Sequence, residues 1–280
     1  MQRAVSGRND RACLGGRDEI LDCMCSSNTD AIGLAVVLIA ALTPASAAEI
    51  RIFSGGAPQR VLQALAPEFE KQTGHRAEFT FALITVIQQK LAAGERPDLL
   101  LLPIPLIAAT EKIIPLRPEG RIVLARVGIG AIVRQGVTSP DISTPEAVRK
   151  TLLDAHSIAF PEPNTPSGAH LARVVAELGI ADAIRPKLAI KAAIDGGAEL
   201  VAKGEADVGM YLVSEVVSVK GITLVGMLPQ AMQSFVVYGT AVPVYNSTPE
   251  PALAFVKFVS DPAKRDRWTA AGFDLVSGGN

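Results

Sequence analysis

Beyond residue 25 the sequence contains no cysteine; Cys13, Cys23 and Cys25 are the three it has. That excludes a disulfide framework and a cysteine metal site for the body of the chain. A chain that folds in an oxidising compartment gains from having no stray thiols. Histidine is as scarce. His75, His156 and His170 are too far apart to form a zinc-binding H-x-x-x-H pair. An excess of either charge is also missing, with 27 basic and 28 acidic side chains and a formal net charge of −1. This excludes the basic face of a nucleic-acid binder and any charged tail. There is no G-x-S-x-G turn, no phosphate loop ending in G-K-[ST] and no G-x-G-x-x-G fingerprint. No metal or cofactor is expected. Internal repeats, low-complexity tracts and long linkers are absent as well.

An apolar run long enough to span a bilayer, about 20 residues, is missing too. Ala31 to Leu42 (AIGLAVVLIAAL) is apolar throughout but only twelve residues long. That length suits the hydrophobic segment of a secretory signal. Thr43-Pro44 breaks it, and Ala45-Ser46-Ala47-Ala48 supplies the small residues of a signal-peptidase site. Residues 1–48 therefore read as a cleavable leader that sends the chain to the periplasm. The stretch before the run is long and mixed in charge, and translation from Met24 instead of Met1 would give a leader of ordinary length.

What is present is a regular alternation. Glu49 to Ser54 (EIRIFS) alternates polar and apolar and runs into Gly55-Gly56-Ala57-Pro58, a strand ending in a glycine turn. Val61, Leu62, Leu65 and Phe69 follow at helical spacing, closed by Gly74. A strand over His75 to Phe81, a short helix over Thr85 to Ala93 and a continuous apolar strand over Asp98 to Leu102 complete a β-α-β-α-β series. Such a series predicts a parallel sheet covered on both faces. Arg121 to Arg134 is a long β-rich stretch fit to cross to a second set of units.

That second set starts with Thr144 as a cap and Pro145 in the first helical turn. It continues with a strand over Ser157 to Phe160, a helix opened by Ser167-Gly168 and running to Gly179, a helix over Ala198 to Lys203, and strands over Ala206 to Met210 and Ile222 to Val225. Ser234 to Val244 is fit to carry the chain back, and helices over Pro249 to Val259 and Pro262 to Ala271 finish it. The expected fold is α/β and two-lobed, each lobe a mostly parallel sheet flanked by helices, joined by two hinge crossings. Residues 49–127 with 230–280 make lobe 1, and 128–229 make lobe 2. Ligands of open α/β sheets bind in such a crevice.

Two strand-to-helix turns place a hydroxyl beside glycine: Ser54-Gly55-Gly56-Ala57 and Thr165-Pro166-Ser167-Gly168. A helix N-terminus offers unpaired N–H groups and the positive end of its dipole. Glycine lets a ligand approach the backbone, and serine adds a donor, so each turn suits an anion. Each also suits ordinary helix capping; one turn per lobe is what favours a shared site. His170, three residues after Ser167, is the candidate general base if the site is catalytic. Glu215 and Asp207 lie near a late strand and are candidate cleft carboxylates, although an acid at a helix start also complements the helix dipole.

These motifs carry a resemblance. The strand with Ser54-Gly55-Gly56, Leu65-Ala66-Pro67-Glu68-Phe69-Glu70 with Thr73-Gly74, Ala93-Gly94-Glu95 with Pro97-Asp98, Gly128-Ile129-Gly130, Pro140 to Pro145 (PDISTP), Ser167-Gly168 and Ser214-Glu215 run from Glu49 to the C-terminus. Together they resemble the molybdate-binding type of periplasmic solute-binding protein, a class II binding fold serving ABC importers. The resemblance implies a small anionic ligand and a membrane permease as partner; a monomer is the default expectation. The resemblance also implies that Ser54, the loop Ala82 to Thr85, Ser167 with its neighbours, and Tyr211 or its neighbour face the ligand. Two departures stand out. The second loop offers only Thr85 as a hydroxyl where molybdate binders place serines, and counting back from Ser214-Glu215 puts Leu212, not Tyr211, at the family's tyrosine position. Periplasmic proteins of this fold include an aconitate isomerase, so a proton-shifting isomerase of a tricarboxylate, using the same cleft, stands as the second reading.

Overall fold

Residues 47–276 are described in this computed structural model, and the expected leader lies outside them except for Ala47 and Ala48. The chain opens with β1 (Glu49–Gly55), α1 (Gln59–Thr73), β2 (Arg76–Ala82), α2 (Ile84–Ala92), β3 (Leu99–Pro103) and α3 (Ile104–Glu111). The alternation in β1 turns Ile50 and Ile52 inward, and Val61, Leu62, Leu65 and Phe69 form the buried stripe of α1. Gly74 stops that helix in the left-handed region (φ 75°), where its N–H reaches the Glu70 carbonyl. All five residues of β3 are buried, as a strand covered on both faces requires. The helix α3 was not expected from the sequence. Pro103 marks the end of β3, and Pro105 sits in the first turn of α3, where no intrahelical N–H is needed.

The 19-residue β4 (Leu116–Arg134) links the two halves of the sheet. Beyond it come α4 (Pro145–Asp154), β5 (Ile158–Phe160), α5 (Pro166–Glu177), α6 (Ala181–Ile184), β6 (Leu188–Ile190), α7 (Gly197–Lys203), β7 (Val208–Leu212), α8 (Val213–Val216) and β8 (Ile222–Met227). The chain closes with β9 (Phe235–Pro243), α9 (Glu250–Val259), α10 (Arg265–Ala270) and β10 (Asp274–Leu275). Strand order is β2-β1-β3-β9-β4-β7-β5-β6, with β8 and β10 also pairing with β4. The outer pairs β1–β2, β1–β3, β5–β6 and β5–β7 are parallel. The two central strands are antiparallel: β4 pairs with β9 between Leu116 and Gly128, and with β7 between Ile129 and Val133. The crossing stretches are therefore structural members of the sheet, and the change of partner falls at Gly128-Ile129.

Several short elements differ from the sequence reading. The helix expected over Pro262 to Ala271 is a 3-10 turn, Pro262–Lys264, followed by α10, and α6, β6 and β10 were not expected at all. Each has two to six residues, too few to display a period. The C-terminal elements complete the core packing around α1. Trp268 is fully buried, donates its indole N–H to the Val259 carbonyl at 2.9 Å and meets Phe273 edge-on, with ring centroids 5.3 Å apart. Phe69 of α1 meets Phe255 of α9 edge-on at 5.0 Å, which ties the last helices to the first.

Candidate functional site

The parallel strands of both half-sheets end at one place. The residues that follow β1, β2, β5, β6 and β7 surround a cavity of about 50 Å³. Gly56, Leu83 and Ile84 come from the first half; Ser167, the Ala192–Ile194 turn, Leu212 and Glu215 come from the second; Val236 and Tyr238 come from the crossing strand β9. This is the crevice at the carboxyl ends of strands where open α/β sheets bind ligands. The halves touch across it: a Cβ placed on Gly56 would lie 3.0 Å from Ile194 Cδ1. A larger cavity, about 850 Å³, lies at the opposite ends of β5 and β7, between α4 and the end of β4. Its charged groups are largely engaged with one another, Lys150 with Asp154 and His156 with Asp207, and nothing from the first half reaches it.

The N-terminus of α5 is the polar side of the small cavity. Thr165 is the cap: its Oγ1 accepts from the Gly168 N–H at 3.1 Å and donates to the Glu162 carbonyl at 2.7 Å. Pro166 takes the first helical position, where a missing N–H costs nothing. Capping therefore belongs to Thr165, and Ser167, 5% exposed, lies against the cavity. Gly168 serves packing. A Cβ there would lie 2.0 Å from the Glu162 carbonyl oxygen, so only glycine lets α5 start this close to the loop after β5.

The other expected site residues are spread more widely. Ser54 is fully buried and its hydroxyl donates to the Gly55 carbonyl at 3.0 Å; the cavity wall in this turn is Gly56. Gly55 packs on Tyr238, whose hydroxyl would be 3.2 Å from a Cβ at that position. Thr85 is half-buried in the first turn of α2, while Leu83 and Ile84 line the cavity. Tyr211 is buried within the second half and donates its hydroxyl to the Lys191 carbonyl at 3.0 Å. Its neighbour Leu212 lines the cavity. His170 lies outside the lining; its Nε2 is 2.7 Å from the Met232 carbonyl and its Nδ1 is 3.4 Å from the Arg173 guanidinium. Asp207 is at the far end of β7, accepting from the His156 N–H at 2.7 Å, and that bond holds its carboxyl below the usual range.

Glu215 is the carboxylate that reaches the cavity. Removal from water pushes it up to about 7; a hydrogen bond from the Leu212 N–H works against this and the nearby charge of Glu162 adds to it. Burial and the proximity of Glu215 both raise the Tyr238 phenol above its ordinary range. No lysine or arginine lines this cavity among the described residues. Tyr238 and the Ala192–Ile194 turn were not singled out from sequence. Tyr238 is one tyrosine in a crossing strand that reads as apolar, and the turn follows a three-residue strand without a motif.

Comparison with known proteins identifies the family. The family described as bacterial extracellular solute-binding protein matches residues 50–274. The chain belongs to that family. It is 30% identical to an aconitate isomerase of a Pseudomonas species over 242 residues, covering 81% of this chain and 90% of the relative. It is 23% identical to the molybdate-binding protein ModA of Escherichia coli (strain K12) over 236 residues, covering 81% and 89%. Among solved structures it is similar to the periplasmic molybdate-binding protein of Azotobacter vinelandii, with a TM-score of 0.67 at 17% identity over 81% of this chain and all of that one. The fold of this solute-binding protein is thus the class II periplasmic binding fold, α/β with a mostly parallel sheet flanked by helices, as the motifs implied. No helix among the described residues is long and apolar enough to cross a membrane.

Proposed function

We propose that this solute-binding protein captures a small anion, a molybdate-like oxyanion or a small carboxylate, in the cavity between its two half-sheets and presents it to the permease of an ABC importer. In this reading it is an exported periplasmic monomer. Residues 49–127 with 230–280 form one lobe and 128–229 the other, and they close about β4 and β9. The observation that carries the reading is the convergence of strand ends from both halves on one cavity that includes Ser167 at the start of α5. A helix N-terminus with a serine hydroxyl binds negative charge through fixed dipoles and needs no cationic side chain. The identities of the relatives support the same ligand class. Ser167→Ala should weaken anion affinity about tenfold, the loss of one charge-assisted hydrogen bond. Titration calorimetry of wild type and variant tests this, and equal affinities would remove Ser167 from the site.

The 30% identity to an aconitate isomerase and the presence of Glu215 in the cavity favour a second reading, isomerisation of a tricarboxylate. A carboxyl that titrates near neutrality suits a general base that takes a proton from one carbon and returns it to another. Glu215 fits this role better than His170, whose two ring nitrogens face Met232 and Arg173. The discriminating experiment is to incubate the protein with one aconitate isomer and follow the other by NMR. Turnover that Glu215→Gln abolishes, with binding retained, would make the protein an enzyme.

A further inference from the structure

We infer that anion capture in this cleft carries one proton with it, held on the Glu215 side chain, so that Glu215 is a hydrogen-bond donor to the bound ligand. The inference rests on the anion-capture reading above and not on the isomerase reading, in which Glu215 must be ionised to take a proton. Glu215 stands in the wall of a cavity of about 50 Å³ whose other lining residues are neutral. An ionised carboxylate there would face an incoming anion with no cation between them, in a site from which closure removes water. Like charges repel strongly in such surroundings. Proton uptake turns that repulsion into a donated hydrogen bond, and it leaves the dipoles of the α5 N-terminus to hold the ligand's charge.

The groups around Glu215 make proton uptake the available solution. On its own element Ser214 is neutral, and its buried hydroxyl has no partner. From β7, the Leu212 N–H occupies part of the carboxyl's bonding capacity, and Tyr211 is committed to the Lys191 carbonyl. The loop after β5 contributes Glu162, a second acid. One of its oxygens accepts from the Ala192 N–H at 3.0 Å and the other is buried without a partner. Crossing strand β9 adds Tyr238, a neutral phenol, and β4 adds the apolar Ile129 paired opposite Leu212. The turn after β6 carries Lys191 and Asp195, both exposed, and α7 carries Glu199, also exposed. The immediate surroundings are thus acidic or neutral, and a proton is the positive charge that can reach the carboxyl. The same near-neutral titration fits this arrangement.

The test is calorimetric titration of the purified protein with trans-aconitate and with molybdate, both fully ionised at neutral pH, in buffers of different ionisation enthalpy between pH 6 and 9. Above pH 7, wild type should take up about one proton per ligand, and its affinity should fall about tenfold per pH unit. Glu215→Gln, a permanent neutral donor, should bind without proton uptake and with a flat pH profile. Binding by wild type with no proton uptake and no pH dependence would overturn the inference while leaving the anion-binding cleft intact. Failure of wild type to bind either probe, or sulfate, phosphate or citrate in the same titration, at any pH would remove the cleft reading and the inference together. Because the wild-type proton count decides the matter, poor folding of the variant would not obscure the result.

Discussion

At the scale of single residues, the proposed role of the α5 turn depends on a division of labour between Thr165 and Ser167. A serine before a helix ordinarily spends its oxygen on a backbone N–H; here Thr165 does so, and Ser167 lies one position beyond the proline, against the cavity. Glu215 carries a cost of the same functional kind. In the unfolded chain its carboxyl ionises near the ordinary 4.5, and in the folded protein near 7. The folded state therefore binds the proton more tightly. Its contribution to stability falls as pH rises through this window, and the full cost is reached above it. Glu215→Gln keeps an acceptor for the Leu212 N–H and removes the ionisation. Thermal unfolding should show variant and wild type close together at pH 5 and the variant clearly more stable at pH 8. A difference independent of pH would mean that Glu215 does not titrate in this range.

At the scale of elements, one side-chain amide braces the crossing region in addition to its strand pairing. Gln233, just before β9, accepts from the Ile129 N–H and donates to the Ile129 carbonyl, both at 2.9 Å. Ile129 is where β4 changes partner from β9 to β7. The two crossings are thereby bolted side by side at the point about which the halves would move. Gln233→Ala takes the side-chain partner from the Ile129 N–H, while the Ile129 carbonyl keeps the Leu228 N–H at 3.0 Å. It should lower stability by roughly 1 kcal/mol and speed ligand release, measured by urea unfolding and stopped-flow dissociation. Unchanged release would place the moving point elsewhere.

The elements also indicate what a sequence can disclose. β1, α1 and β3 were legible because five to fifteen residues show a period or a continuous apolar run, and glycine or proline marks the ends. β6 was not, because three residues cannot show a period, although the turn after it supplies Ala192 to Ile194 to the cavity. Tyr211 and Leu212 illustrate a finer limit. Adjacent strand residues point to opposite faces, and the sequence names both without saying which face meets the cleft. Burial puts the Tyr211 hydroxyl on the Lys191 carbonyl and leaves Leu212 at the cavity. His170 likewise shares a helical turn with Ser167 in sequence but is turned toward Met232.

At the scale of the whole molecule, the leader motif, the family membership and the meeting of two half-sheets all fit one design, a clamp that closes on solute from two sides. Crossing strands that belong to the sheet provide two connections between the halves, which suits rigid bodies hinged at one level and disfavours a loose linker. Gly56 meets Ile194 across the small cavity, so in the proposed reading a ligand larger than a few atoms would enter only if the halves part. In the proposed reading a bound anion stabilises this arrangement of the halves. Thermal unfolding of the purified protein against molybdate, tungstate, sulfate, phosphate, citrate and the aconitate isomers checks this. A ligand that binds only the folded state at a hundred times its Kd adds about 2.7 kcal/mol. We expect at least one of these anions to raise the midpoint by several degrees. Midpoints that stay fixed with every anion would mean that the cavity binds none of them.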